Sequence, residues 1–382
     1  MIFSQTPNYK PLTPATLVAM LSLILPTYNE SKNLPELLPE LEEVLRDIPH
    51  EIIIVDDDSP DETWRVAQEL GHDRDDVHVI RRVGRRGLSS AVIEGFLSAK
   101  GEVLAVMDAD GQHDMSILPK LYSSAQSGNG IAIGSRYVAG GSVGEWDERR
   151  HFMSRVATSL ALKVCKVKVQ DPMSGFFAVR KNLFQSIANN LNPKGFKILL
   201  DLLVCVPRST EVEEIPFTFS TRLHGESKLS RRVQIEFLEY LYDVTIGRYI
   251  PLTFLKYCIV GGLGVFVHLA TYITASSFLQ EGDELSLFGF RVAVLIAIEV
   301  AIIFNFYVNN VWTFALSRLK GVAMLIGFGK YNIACVFGAV ANYAVSSYLF
   351  SLGWLDIAAV VIGAFTGVVW NYTMSRFFAW KT

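Results

Sequence analysis

Two aspartates and a glutamine at alternate positions form the segment of this sequence best suited to chemistry. Asp108, Asp110 and Gln112 follow an apolar run that begins at Val103. Such a run predicts a buried parallel strand, and the side chains that follow it then lie at the carboxyl edge of the sheet, where open α/β folds bind ligands. Carboxylate and amide oxygens suit a hard cation, which commonly bridges substrate phosphates. The pattern predicts an Mg²⁺ or Mn²⁺ site that holds a diphosphate; an ordinary polar turn is the alternative.

A second acidic turn, VDDDSPD at 55–61, also ends an apolar run. Carboxylates in this position can accept hydrogen bonds from a ribose or a base, as they do after early strands of nucleotide-binding sheets. The sequence has no GxGxxG or Walker loop, so the phosphates need another partner, which again favours a cation. His113, His151 and His224 lack the spacing of a zinc site.

Alternating apolar strands and amphipathic helices must position these residues. The strands are predicted in 20–30, 51–55, 77–82 and 102–110, with helical leucine spacing or cap residues between them. This order predicts an α/β domain over 20–230, with a mostly parallel sheet flanked by helices. Residues 1–19 contain three prolines and predict a flexible tail.

The apolar residues, 50% of the chain, are concentrated in the C-terminal third. Residues 253–382 predict a four-span α-helical transmembrane domain, because each apolar segment is long enough to cross a bilayer core of roughly 30 Å. The segments lie near 253–275, 291–313, 331–352 and 355–378. Residues 231–252 mix arginine with aromatic and aliphatic residues at helical spacing, which predicts an amphipathic interface helix. Docking of that helix on its own domain is the alternative.

The charges between the spans predict the orientation. The second loop carries Arg318, Lys320 and Lys330 and the C-terminus carries Arg376 and Lys381, whereas the loop at 279–286 has three acids and neither lysine nor arginine. By the positive-inside rule, the second loop, both termini and the α/β domain are predicted to be cytoplasmic. The net charge of -3 gives no indication of a nucleic-acid partner.

The two halves of the membrane region resemble each other. KYCIVGGLG (256–264) matches KYNIACVFG (330–338), and NFYVNNVWTF (305–314) matches NYTMSRFFAW (371–380) in its asparagine and aromatic positions. We interpret this as a parallel repeat of two hairpins, with chance similarity between apolar helices as the alternative.

Two ionisable residues lie within the predicted membrane spans. His268 and Glu299 are predicted at similar depth in the membrane, which raises the hypothesis that they pair; separate partners are the alternative. The cysteines have no metal-ligand spacing and are interpreted as free thiols in a reducing compartment: Cys165, Cys205, Cys258 and Cys335.

Eight ordered motifs over residues 20–250 resemble glycosyltransferase family 2. They are LPTYNE, VDDDSPDET, GLSSAVIEGF, DADGQHD, GSRYVAGG, DPMSGFFAVR, GFKILL and RLHGESKLS. Within that family the sequence is most similar to polyprenol-phosphate sugar synthases, in particular the multi-span dolichyl-phosphate mannose synthases. The C-terminal spans are similar to small four-helix membrane proteins that accompany bacterial lipid-linked glucosyl transfer. The resemblance implies a GT-A type fold for the α/β domain.

The resemblance also implies a role for individual residues. The nucleotide-sugar site would comprise Pro26, Tyr28, Glu30, Val55, Asp57, Asp108, Ala109, Asp110, Gln112, Arg136, Lys197, Arg222 and Lys228. Asp108, Asp110 and Gln112 would be the metal ligands. Arg136, Arg150 and Ser154 would contact the acceptor lipid phosphate, and the residues expected to be catalytic are Asp110, Arg136, Arg150 and Lys228. Relatives often have LQHPP where this chain has GQHDM, and we expect Gly111 to loosen that turn.

The activity implied by the resemblance is inverting transfer of mannose from GDP-mannose to a polyprenyl (dolichyl-type) phosphate. The lipid phosphate is already anionic, so no strong general base is required, and arginine and lysine suit the approach of two anions. A UDP-glucose-dependent polyprenyl-phosphate glucosyltransferase is the alternative within the class. A lipid-linked sugar flippase or membrane scaffold is the alternative from another class. A processive polysaccharide synthase is disfavoured, because no Arg-Trp pair of a QxxRW motif occurs.

Overall fold

The computed structural model describes residues 19–128, 130–144, 148–193, 197–220, 231–278, 286–287 and 290–381. Within helices and strands, the side chains at 149–150, 231–232, 286–287 and 290 are not described either. The chain divides after Leu241 into two compact units. The predicted tail at 1–19 lies almost wholly outside the described residues.

The first unit is built on a seven-stranded sheet with the order β3-β2-β1-β4-β6-β5-β7. Its strands are β1 (Leu21–Thr27), β2 (His50–Asp56), β3 (Val77–Arg81), β4 (Val103–Val106), β5 (Ile131–Ser135), β6 (Phe177–Arg180) and β7 (Val212–Pro216). The pairs among β1 to β4 are parallel, β5 and β7 are parallel, and β6 runs antiparallel to both of its neighbours. The predicted mostly parallel sheet is confirmed.

Helices cover both faces of this sheet. They are α1 (Leu34–Leu45), α2 (Thr63–Leu70), α3 (Leu88–Ser98), α4 (Leu118–Ser127), α5 (Glu148–Leu162), α6 (Lys181–Ile187) and α7 (Ile198–Cys205). One apolar core packs α1 and α4 against the sheet, and the other packs α3, α6 and α7 against the opposite face. Because β1 contributes Leu23 and Leu25 to the first core and Ile24 to the second, its side chains are buried on both faces.

One edge of the sheet collects the predicted site. The carboxyl ends of β1, β2, β4, β5 and β7 lie there, together with the amino end of the reversed strand β6. The turns that follow β2 and β4 carry the two acidic motifs, and the segment after β5 carries Arg136. The strand directions therefore bring motifs from distant parts of the sequence to one edge.

Helix α8 (Arg231–Thr245) occupies most of the segment predicted as an interface helix. Phe237 and Tyr240 are buried, and the Tyr240 hydroxyl donates a 2.8 Å hydrogen bond to Asp201 within the first unit. Ile235 and Leu238 are exposed. The helix thus docks on its own domain by one set of residues, as the alternative interpretation expected, and keeps an exposed apolar set.

The second unit consists mainly of four long helices. They are α9 (Leu252–Phe278), α10 (Val292–Val308), α11 (Val322–Ser351) and α12 (Asp356–Met374), and a two-residue pair of strands, β8 (Ser286–Leu287) and β9 (Phe290–Arg291), precedes α10. Helices α10 and α12 continue as π-helical turns to Thr313 and Ala379, and all four helices are long and apolar enough to cross a membrane. The third starts at Val322, earlier than the predicted 331, because Lys330 interrupts the apolar run without interrupting the helix.

Polar and aromatic side chains link the helices of this unit. Tyr257 and Ser375 approach to 3.3 Å between their hydroxyl oxygens, and the Trp380 indole donates to Asn310 at 3.0 Å. The structure shows neither a hydrogen bond nor an ion pair between His268 and Glu299, both of which are described, and Glu299 is exposed. The four cysteines are free, as predicted.

Candidate active site

The turn after β4 is held by a bond within the turn and by a bond to the segment that follows β7. The backbone N–H of Gln112 donates to the Asp110 carboxylate at 3.1 Å, and the Gln112 side-chain nitrogen donates to the carbonyl of Ser220 at 3.1 Å. Gly111 has a φ of 73°, a conformation that glycine adopts without strain. Asp110 and Gln112 are both buried. The two predicted ligands are therefore fixed relative to each other, with Gly111 providing the turn.

Asp108 is fixed by its backbone and by the closeness of β6. Its N–H donates to Nδ1 of His113 at 3.2 Å. A Cβ on Gly175 would lie 2.9 Å from the Asp108 Oδ2 atom, so a side chain there would displace the carboxylate.

His113 is buried in an aromatic box. Its ring stacks on Phe176 at 5.0 Å and meets the edges of Phe217 and Phe219, both at 5.6 Å. Burial lowers the pKa of His113 to about 4, although nearby Asp110 favours the charged form. The imidazole is therefore neutral, and since Nδ1 accepts the Asp108 N–H, its proton lies on Nε2. His113 has the geometry of a support for Asp108.

Arg136 forms a two-point ion pair with Asp171. The guanidinium Nε and Nη2 donate to the two carboxylate oxygens at 2.7 and 2.8 Å, and the Arg136 backbone N–H adds a third bond at 3.1 Å. Asp171 is fully buried. Burial disfavours the Arg136 charge, but the bonds to Asp171 outweigh it and raise the pKa of Arg136. The guanidinium is held charged and in one orientation, close enough to Asp108 to interact electrostatically.

Lys197 brings a second cation to the same place. Its Nζ donates to the Met173 carbonyl at 3.2 Å. Burial lowers the pKa of Lys197 to about 8; the neighbouring Arg136 adds to the effect, whereas Asp108 and Asp171 oppose it. An anion bound between Arg136 and Lys197 would favour the charged ammonium. The structure thus brings Asp108, Arg136 and Lys197 together.

Asp57 lies in a separate, polar corner after β2. Its carboxylate accepts the Gly87 N–H at 2.7 Å and a bond from Arg82, which in turn donates to Ser90 at 2.6 Å and Glu94 at 3.1 Å. Burial raises the pKa of Asp57, with the Gly87 and Arg82 bonds opposing the shift. These bonds hold the Asp57 carboxylate in one position next to the carboxyl end of β1.

The other residues that are predicted to bind the nucleoside differ in the surroundings of their side chains. Tyr28 offers an aromatic face, with the Arg86 guanidinium 4.7 Å from its ring centre. Glu30 is buried and accepts a 2.6 Å bond from Asn33 at the start of α1. Pro26 of β1 and Val55 of β2 are partners in the sheet, and both are buried. Ala109, in the turn after β4, is buried as well. The Val55 side chain packs in the core, one residue before the carboxyl end of β2.

The expected acceptor residues are partly described. The Ser154 hydroxyl on α5 lies 2.8 Å from the Tyr137 hydroxyl, which brings it next to Arg136 along the chain. Phe152, Met153 and Val156 on the same helix are exposed. Arg150 belongs to α5 but its side chain lies outside the described residues, as do Arg222 and Lys228 entirely.

Three supporting residues were not foreseen from the sequence. Asp171 orients Arg136, Arg82 orients Asp57, and His113 supports Asp108. Asp171 and His113 lie inside quoted motifs, so their presence was visible, but their partners depend on the sheet order. Among the described residues no three His, Cys, Asp or Glu side chains gather as a metal site.

Both units of this chain match families of known proteins. Residues 22–188 match the family Glycosyl transferase family 2, and residues 256–380 match GtrA/DPMS, transmembrane domain. A dolichol-phosphate mannosyltransferase of Pyrococcus furiosus is 39% identical over 94% of this chain and 99% of its own length. The enzyme of the same name from Saccharomyces cerevisiae is 36% identical over 60% of this chain and 88% of its own.

Among solved structures, glucosyl-3-phosphoglycerate synthase from Mycobacterium tuberculosis, in complex with Mn²⁺, UDP and phosphoglyceric acid, is 18% identical with a TM-score of 0.45. The match covers 59% of this chain and 78% of that one.

Proposed function

Because this chain belongs to the dolichol-phosphate mannosyltransferases, we propose that it transfers mannose from GDP-mannose to the phosphate of a polyprenyl (dolichyl-type) lipid. The observation that carries the proposal is the 39% identity to a mannosyltransferase across both units. The chain is an integral membrane protein with four apolar helices. The product would be a polyprenyl-phosphate mannose.

The donor would lie along the carboxyl edge from β2 to β4. The Tyr28 ring offers a stacking face for a base, and the corner around Asp57 offers a carboxylate for the nucleoside. Because Gly87 and Arg82 already hold Asp57, the Asp57 carboxylate would bind the nucleoside without rearrangement. The diphosphate would then extend towards Asp108.

The turn after β4 fits a divalent cation, Mg²⁺ or Mn²⁺. Its candidate ligands, Asp108, Asp110 and Gln112, offer only oxygen atoms to a hard cation, and the Gly175 backbone leaves the Asp108 carboxylate room. When bound, the cation would neutralise charge on the departing diphosphate. His113 would keep Asp108 in place by accepting its backbone N–H.

The charged groups next to this turn would hold the two reacting anions. Arg136 would present a guanidinium already oriented by Asp171, and Lys197 would contribute an ammonium. The lipid phosphate is anionic near neutral pH, so it could attack the anomeric carbon directly and invert its configuration without a general base. Arg222 and Lys228 belong to the same proposal on the basis of their motif.

The acceptor would approach over α5. Ser154 lies beside Tyr137, one residue after Arg136, and the exposed Phe152, Met153 and Val156 offer an apolar surface for a lipid chain. Arg150 would contact the lipid phosphate. The positive-inside pattern of the loops supports a cytoplasmic first unit, which has access to nucleotide sugars.

The decisive experiment uses the purified full-length chain with a polyprenyl phosphate and labelled donors. We expect label to enter the lipid from GDP-mannose, to be lost with a chelator and to return with Mg²⁺ or Mn²⁺. Asp110→Asn should abolish transfer, whereas the exposed Asp73→Asn should not. Lipid labelling from UDP-glucose alone would favour the glucosyl alternative, and lipid translocation that survives Asp110→Asn without transfer would favour a flippase.

A further inference from the structure

The two hairpins of the membrane unit repeat each other in their contacts as well as in their sequence. The Asn305 amide of α10 packs on Gly264 of α9, and the Asn371 amide of α12 packs on Gly338 of α11. Each even-numbered helix then ends in a π-helical turn, at Asn309–Thr313 and Ser375–Ala379. Equivalent residues of the two hairpins can therefore be compared directly.

A lysine lies over an aromatic ring at equivalent positions in both hairpins. The Lys256 ammonium is 5.7 Å from the ring centre of Trp312, and the Lys330 ammonium is 5.0 Å from that of Phe378. The lysines are the first residues of the repeated KYCIVGGLG and KYNIACVFG segments. Both rings are penultimate residues of their apolar helices and are 41% and 40% exposed, respectively.

These lysines lie within apolar helices, where a cation is costly. Lys256 is in the second turn of α9 and Lys330 is in the third turn of α11. At this depth an ammonium reaches the headgroup level by extending its side chain, and a ring below it adds a cation–π contact. An ammonium carries three donors, so one that lies over a ring can also donate to an anion.

We propose that the Lys256–Trp312 and Lys330–Phe378 pairs are two equivalent binding sites for the phosphate of an anionic glycerophospholipid. Each site combines a charge at headgroup level with an exposed ring on which the glycerol and upper acyl chain can pack. The sites lie at the end of the bundle where α9 begins. That end faces the leaflet on the loop side rich in lysine and arginine, which also attracts anionic lipids.

The polyprenyl phosphate has the same headgroup chemistry, but the duplication favours the bulk lipid. One transferase site uses one acceptor at a time, whereas the repeat provides two matching sites, one in each hairpin. The sites would keep the membrane unit surrounded by anionic lipid, and they do not depend on the proposed transferase activity. Substitution of either lysine should leave the Michaelis constant for the polyprenyl phosphate unchanged.

Native mass spectrometry of the full chain, released from nanodiscs of phosphatidylglycerol and phosphatidylcholine, tests the proposal. We expect two tightly retained phosphatidylglycerol molecules per chain, one after Lys256→Gln or Lys330→Gln, and none after both substitutions. Lys320→Gln removes the same charge from an exposed loop position without a ring contact, and it should keep two. Unchanged retention in the double variant would overturn the proposal.

Two further outcomes would also overturn it. One is equal loss of lipid in Lys320→Gln, which would mean that total charge and not the sites holds the lipid. The other is a raised Michaelis constant for polyprenyl phosphate in the double variant with phosphatidylglycerol retention intact, which would assign the lysines to the acceptor.

Discussion

The Nδ1 atom of His113 accepts the backbone N–H of Asp108, five positions earlier in the chain, at 3.2 Å. The bond ties the first acid of the candidate cation site to a ring that Phe176, Phe217 and Phe219 enclose. The aromatic residues that enclose His113 therefore hold the Asp108 backbone in place through this bond.

Replacing His113 by phenylalanine should weaken the cation site while keeping the stack on Phe176. The Asp108 N–H would lose its acceptor, and loss of such outer-shell support typically costs about 10- to 100-fold in metal affinity or activity. The measurement is transfer activity titrated with Mn²⁺ in the full-length chain. His72→Phe, at an exposed position, is the matched control and should titrate like the wild type. A wild-type titration curve for His113→Phe would contradict the support role.

Stability of the first unit should fall as the pH is lowered from 6.5 towards 4. The pKa of folded His113 is lowered to about 4, whereas an unfolded histidine has its ordinary pKa of about 6.5, so between these values only the unfolded chain gains a proton. Proton binding to the unfolded state lowers the free energy of unfolding, by about 2 kcal/mol at pH 5 for this one group. Thermal unfolding of the wild type and His113→Phe at pH 7 and 5 measures the difference.

The carboxyl groups of Asp57 and Asp201 act in the opposite direction. Burial raises the pKa of both in the folded chain, so the stability that they contribute is larger at acid pH and falls as the pH rises. These contributions are common to the wild type and His113→Phe and cancel in the comparison. An equal loss of stability on acidification in both proteins would contradict the assignment to His113.

Lys197 should give the free enzyme an alkaline limit near pH 8. The lowered pKa of about 8 means that the ammonium loses its proton above this pH, and with it the attraction for the donor diphosphate. We expect kcat/KM for GDP-mannose to fall above pH 8 by up to tenfold per unit. Lys197→Gln should have a low kcat/KM without this limb, whereas Lys181→Gln, at the opposite end of β6, should keep it. The limb persisting in Lys197→Gln would exclude Lys197 as its source.

The fold was predictable because its signals are local and repeated. Apolar runs such as that of β1, alternating with leucine-spaced helices, predict parallel strands, and four long apolar segments predict the membrane unit. What sequence patterns could not supply is the sheet order. The reversed strand β6 lies between β4 and β5, and this arrangement alone brings Asp171 to Arg136 and Gly175 to Asp108.

The candidate site was predictable in its residue types but less so in their function. Asp108, Asp110 and Gln112 stand out by spacing, and Arg136 and Lys197 by motif. Val55 stays a prediction at the nucleoside; its side chain is buried on one face of the sheet, one residue before the carboxyl end of β2. His113 showed no metal-ligand spacing, and its function as a buried support follows only from three aromatic residues that lie just before β6 and just after β7.

Closely packed glycines in the membrane unit should be intolerant of alanine in both hairpins. A Cβ on Gly264 would overlap the Asn305 amide, and one on Gly338 would overlap the Asn371 amide, so the helices of either hairpin would have to separate. Overpacking of this kind costs typically about 1–3 kcal/mol.

Gly261 and Gly262, on the same helix as Gly264, have no atom within 4 Å of an added Cβ and provide the control. Thermal unfolding of the full-length chain in detergent should show a lower midpoint for Gly264→Ala and Gly338→Ala, and no decrease for Gly261→Ala. Because the two sensitive glycines are equivalent in the repeat, similar losses at both would also support a parallel duplication. A loss at only one would mean that the hairpins share sequence but differ in packing.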